Sequence, residues 1–166
     1  MTFPEPEIRN MDALYLIGKH CSMSLRNNQT KTLWQSFMPL RHQIKNTVGQ
    51  EVISMQIYPA SFDFTFSDEG IAFEKWAARR VTTLDHIPDG MEGYRMEGGL
   101  YAVFNYKGLS TDPSIFRFIF GAWLPASEYV VDYRPHFEGL GEKDKNQDPD
   151  SEEEIWIPVR RKNVAG

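Results

Sequence analysis

Among its 166 residues the chain has a single cysteine, Cys21. No internal disulfide can form, and the sequence reads as suited to a reducing, cytoplasmic compartment. Histidine is sparse as well. His20, His42, His86 and His136 show no mutual ligand spacing and no Cys/His cluster exists, so neither a metal nor a bound cofactor is expected. Basic residues are too few to cover phosphates: 18 Lys and Arg stand against 23 Asp and Glu, for a formal charge of −5. Direct nucleic-acid binding is therefore not expected. No apolar run approaches the roughly 20 residues that span a bilayer. The opening MTFPEPEIRNMD lacks a basic region followed by an apolar one, so it is not a signal peptide, and no membrane partner is expected. The Walker A, G-x-G-x-x-G and G-x-S-x-G patterns are missing too.

Aromatic residues are plentiful, at 13% of the chain, and a length of 166 residues suits one domain with a sizeable core. Residues 2–10, with Pro4 and Pro6, read as an extended lead-in. A strand is expected over Asp12–Cys21 with Leu14, Leu16 and Ile17 buried, then a helix over about 31–46 whose stripe includes Leu33, Trp34, Phe37 and Ile44. Pro39 should kink or break that helix near Met38. Glu51–Pro59 alternates as a half-buried strand, Ala60–Ile71 is a loop, Ala72–Thr82 a strand and Asp85–Gly93 a turn-rich joint.

Gly98–Tyr106 is apolar at nearly every position and reads as a strand covered on both faces. Asp112-Pro113 opens a helix that should run to about Leu124, with Pro125 ending it. Glu128–Tyr133 reads as a strand, the acidic Gly139–Glu153 stretch as a solvated loop, Glu154–Val159 as the last strand and Arg160–Gly166 as a tail. The order repeats itself. Residues about 8–84 and about 95–160 each run strand, helix, strand, strand, which predicts an α+β fold of two pseudo-symmetric β-α-β-β units on one curved antiparallel sheet, with a cleft where they meet.

One acid stands out for chemistry. Glu138 follows Arg134-Pro135-His136-Phe137 directly after an aromatic strand. Enclosed, its carboxyl would be desolvated and its charged form restored by a cationic ligand. Aromatic faces would add about 0.5–2 kcal/mol each through cation–π contact. Candidate walls are Trp34, Tyr58, Trp76, Tyr101, Trp123, Phe137 and Trp156, each of which core packing would explain equally well. Simple alternation places Glu138 with Asp132 and Arg134 rather than with Tyr129, Val131, Tyr133 and Phe137. A solvent-facing acid paired with Arg134 satisfies that parity; a pocket acid requires cover on both sheet faces or a register shift at Pro135.

The ordered set LYLIGKH, TLWQSFMPLRHQI, GGLYAVFNYKG, WLPASEY, DYRPHFE and EIWIPV resembles GyrI-like small-molecule-binding domains, the effector-binding domains of AraC- and MerR-type regulators, and in particular their stand-alone integron-cassette forms. The resemblance spans about residues 5–160. It implies a cleft for hydrophobic, often cationic compounds, with the family's pocket acid on Glu138 and its helix-end tryptophan on Trp123. The tyrosine usual shortly after the acid is replaced by Gly139-Leu140-Gly141. Three functions follow as expectations. The first is a stand-alone binding protein for drug or effector sensing or sequestration. The second is a hydrolase of strained, cyclopropane-type rings using Glu138 as general acid/base. The third is a module docking on a separate regulator or a gyrase. The chain has no room for a helix-turn-helix domain as well.

Overall fold

The structure, a computed structural model, describes residues 3–107, 113–141 and 152–162. Its elements in order are β1 (Glu7–Met11), β2 (Leu14–Met23), α1 (Thr30–Phe37), β3 (Val52–Ile57), β4 (Phe73–Val81), β5 (Glu92–Met96) and β6 (Gly99–Lys107). α2 (Ser114–Phe118), α3 (Leu124–Ala126), β7 (Tyr129–Val131), β8 (His136–Leu140) and β9 (Glu152–Arg161) follow. Both prolines expected to disturb helices do so. α1 stops at Phe37 and continues as a tighter 3-10 turn over Met38–Gln43, because Pro39 has no N–H to donate. The second helix widens into a π turn over Ile119–Trp123 just ahead of Pro125, whose ring would otherwise press on the carbonyl four residues earlier. That widening carries the helix past Pro125, which was expected to end it, to Ala126, two residues beyond Leu124.

Several expected boundaries change. The strand expected over Glu128–Tyr133 is the shorter β7, and β8 is a separate strand beyond the break at Asp132–Pro135, so a parity counted through Pro135 has no meaning. β8 takes in Gly139 and Leu140, and β9 takes in Glu152 and Glu153, all expected in the acidic loop. The lead-in contains β1, and the joint before the second half runs into β5. Both are short edge strands bearing charge (Glu7 and Arg9; Glu92 and Arg95), the composition that blunts sheet edges and hides a strand from hydrophobic patterning. β9 takes in Arg160 and Arg161, which were expected in the tail. Most of the acidic stretch after Gly141 lies outside the described residues.

The strand order is β1-β6-β9-β8-β3-β4-β2-β5, with β7 added on β9 and every pair antiparallel. The order β6-β9-β8 is mirrored by β2-β4-β3, and the halves join where β8 pairs with β3. The short leading strands are exchanged: β1 precedes β2 but pairs with β6, whereas β5 precedes β6 but pairs with β2. On one face α1 packs Leu33 and Phe37 onto Ile17, Ala77 and Val81, while α2 and the π turn pack Ile115 and Ile119 onto Ala102, Phe104, Ile155 and Ile157. Among the described residues the other face carries no helix. Leu14, Leu16, Ile53, Met55, Trp76, Tyr101, Val103 and Phe137 form a buried cluster there, drawn from both ends of the strand order, which requires the sheet to curl on itself. The curl is tight at Gly18, where a Cβ would collide with the Ala77 carbonyl.

Candidate functional site

Directly opposed residues of neighbouring strands project to the same face, so register fixes the site. On the helix-bearing face one cross-strand row runs Phe104, Ile155, Glu138, Ser54, Ala77, Lys19, and the next runs His136, Gln56, Lys75, Cys21. Five neighbouring polar side chains therefore stand in the seam between the two helix-capped cores: Ser54, Gln56, Lys75, His136 and Glu138. All are buried; Glu138 is 9% exposed, Lys75 8% and His136 4%. A polar cluster at the centre of a sheet covered on both faces is costly unless its members satisfy one another.

They do so incompletely. The Lys75 Nζ donates to Ser54 Oγ at 2.6 Å, and Gln56 Nε2 donates to Ser54 Oγ and to Glu138 Oε1, both at 3.2 Å. Glu138 Oε2 is buried and has no hydrogen-bond partner among the described residues. An unmet buried acceptor costs about 1–3 kcal/mol. Burial raises the proton affinity of the Glu138 carboxyl, opposed by the charge on Lys75 and by the Gln56 bond. Burial likewise lowers that of Lys75, opposed mainly by Glu138. His136 is pushed down to about 3 by burial, with the Arg134 charge adding to it, so its imidazole is neutral. Arg134 is not the partner of Glu138. Its Nε bonds Asp132 at 2.8 Å, and its guanidinium donates to the Leu100 and Val159 carbonyls and lies over the Tyr101 ring.

An arch of rings covers one end of this seam. After β3 the chain runs Tyr58 to Phe66, and Asp63 ties the turn by accepting from the Thr65 amide and from the hydroxyls of Thr65 and Ser67. Phe62, Phe64 and Phe66 are thereby presented together, Phe66 in the left-handed region at φ 61°. The Phe64 ring stacks on Phe120 of the π turn (4.8 Å) and on His136 (5.2 Å), so the arch reaches from β3 to the second helix. Tyr58 meets His136 edge-on at 4.9 Å. It lies close enough to Glu138 for that charge to add to burial in raising its phenol.

Of the aromatic walls expected from sequence, Tyr58 stands beside Glu138. Trp34 packs edge-on to Phe37 in the core under α1, and Trp123 lies edge-on to Phe104 and stacked on Tyr129 under the second helix. Both belong to the helix-bearing face, flanking the seam. Phe137, Trp76, Tyr101 and Trp156 lie on the opposite face, where Phe137 stacks on Trp156 at 5.1 Å. The sequence reading missed Lys75, Ser54 and Gln56, which only strand pairing brings to Glu138. It also passed over the arch, although Phe62-Asp63-Phe64-Thr65-Phe66 alternates rings with turn-forming side chains. A separate groove of about 330 Å³ lies at the sheet edge beside α1, with Lys19, His20, Cys21, Ser36 and Glu92 in its lining. Among the described residues no group of three or more His, Cys, Asp or Glu side chains could hold a metal, and no helix is long and apolar enough to cross a membrane.

Comparison with known proteins agrees with this fold. The family model described as the GyrI-like small molecule binding domain matches residues 4–160. No curated protein matches the sequence significantly. Among solved structures, SAV2435 bound to tetraphenylphosphonium is similar with a TM-score of 0.71 at 14% identity, covering 94% of each chain. An integron cassette protein from the mobile metagenome of Vibrio cholerae has a TM-score of 0.64 at 18% identity, covering 95% of this chain and 97% of the other. EcmrR, in a complex with DNA, has a TM-score of 0.68 at 11% identity over 97% of this chain and 59% of its own. At these identities the likeness is one of fold.

Proposed function

The chain belongs to the family of GyrI-like small-molecule-binding domains, and we propose that it binds hydrophobic cationic compounds at the seam between its two helices, with Glu138 as charge partner. The observation that carries this is the unpartnered Glu138 Oε2, buried next to Tyr58 at the centre of the sheet. A cationic centre placed there meets the acceptor that the protein leaves unmet, and the rings of Tyr58, Phe64 and Phe120 supply apolar and π contact. A ligand reaches Glu138 by displacing that arch. The fold's occurrence in a tetraphenylphosphonium complex and in the DNA-bound EcmrR supports a sensing or sequestering role, alone or beside a separate regulator.

Titration of the purified protein with tetraphenylphosphonium and a rhodamine-type dye tests the reading. Wild type should bind, and Glu138→Gln should weaken binding at least tenfold. Equal binding by both proteins, or by neither, would sink the role given to Glu138.

A hydrolase reading draws on a different property of the same group. A carboxyl with raised proton affinity, beside neutral His136 and Tyr58, suits general acid catalysis on a strained ring. Turnover of a cyclopropane-containing electrophile that disappears in Glu138→Gln would favour it; tight binding without turnover decides against it for that compound.

A further inference from the structure

We propose that Lys75 is a specificity-determining residue of the Glu138 site: its amine is the resident counter-cation of the carboxylate, and a cationic ligand is accepted only in exchange for the proton that the pair holds. The inference deepens the proposed function and rests on it.

Three observations lead there. Lys75 and Glu138 are both buried on the same face, and Ser54 accepts from Lys75 while standing directly opposite Glu138 across the β3–β8 pair. The two are close enough for each charge to favour the other's charged form, yet among the described residues they make no ion pair within 4.0 Å. The space between their charged ends is bridged by neutral donors and acceptors, Ser54 and Gln56. A buried site with a net charge is far more costly than a neutral one, so the resting pair holds one proton in total, on the amine or on the carboxyl. A permanent cation seated at Glu138 Oε2 makes that site net positive while the proton stays. Binding therefore expels the proton and leaves Lys75 as a neutral amine bonded to Ser54.

The groups facing Lys75 fit this exchange. Cys21 opposes it from β2, its thiol raised by burial and so uncharged. Glu153 of β9 and Glu138 of β8 act on it electrostatically, and the neighbouring His136 is neutral. Lysine can give up its proton inside a protein, whereas arginine cannot.

Calorimetric titration with tetraphenylphosphonium at pH 6 to 9 tests the proposal on wild type, Lys75→Met, Lys75→Arg and Glu138→Gln. In wild type, affinity should rise toward tenfold per pH unit, and runs in buffers of different ionisation enthalpy should show close to one proton released. Lys75→Met should bind at least tenfold tighter at pH 7, and Lys75→Arg should lose binding while keeping a wild-type unfolding midpoint. A purely structural role for Lys75 predicts weaker binding by both variants. Glu138-dependent binding that is unchanged by either substitution overturns this inference and leaves the proposed function standing. Failure of wild type and Lys75→Met alike to bind overturns both. If Lys75→Met does not fold, the arginine variant decides: wild-type affinity in Lys75→Arg overturns the exchange.

Discussion

Ser54 and Glu138 face each other across the β3–β8 pair, the junction of the two mirrored halves of the sheet. Neither half alone builds the seam. β8 supplies the acid and the neutral imidazole, and β3 and β4 supply the hydroxyl, amide and amine. A buried polar seam of this kind arises where two copies of one unit meet with their helices held apart by the width of the central strands.

His136 should make the protein acid-labile. Its folded-state value of about 3 lies below the ordinary 6.5, so the unfolded chain binds the extra proton and stability is lost as pH falls below about 6.5. Linkage gives a loss of about 1.5 kcal/mol between pH 6.5 and 5 from this residue. Urea unfolding at the two pH values should show that difference in wild type, and His136→Gln should remove it. A variant that keeps the full slope would place its origin elsewhere.

Phe64 joins the arch to the second helix through Phe120 and to the seam through His136. Truncation in Phe64→Ala should lower stability by about 1–2 kcal/mol. It should also open the route to Glu138, so stopped-flow association of a fluorescent cation should quicken several-fold. Slower or unchanged association would show that the arch does not gate entry.

Arg134 holds the β7–β8 turn by bonding Asp132, the Leu100 carbonyl and the Val159 carbonyl at once. Lysine lacks the planar fork for three such acceptors. Arg134→Lys should therefore cost about 1–3 kcal/mol, read as a lower urea midpoint at unchanged slope. Cation affinity should stay within about twofold, since Arg134 is partnered with Asp132 rather than with Glu138; a larger change would link the two residues.

Gly18 sits where β2 presses on β4. Gly18→Ala places a methyl against the Ala77 carbonyl and should cost about 2 kcal/mol or more. For a chain of this size each kcal/mol lowers the unfolding temperature by roughly 2–4 °C, so scanning calorimetry should show a drop of several degrees. An unchanged midpoint would mean that the pair relaxes freely.

Much of the fold was legible because local rules carried it. Alternation marked β3, the double-sided apolar run marked β6, and Pro39 and Pro125 marked the places where helices change geometry. β1 and β5 were not legible, since an edge strand needs few apolar residues and these have charged ones instead. At the site, alternation carried across Pro135 pointed Glu138 away from any pocket. The break between β7 and β8 removes that constraint, and cover on both faces of the sheet meets the condition the pocket required.

The sequence by itself determined the duplicated unit and the helix-bearing cores, because periodicity and proline act within a few residues; it singled out Glu138 through the family resemblance alone. Tertiary structure alone decided which groups surround that acid. Lys75, 63 positions before Glu138 in the chain, comes to its side only through the register of β8 on β3 and β3 on β4. Phe137, its immediate neighbour in sequence, is sent to the opposite face by the two-residue period of the strand.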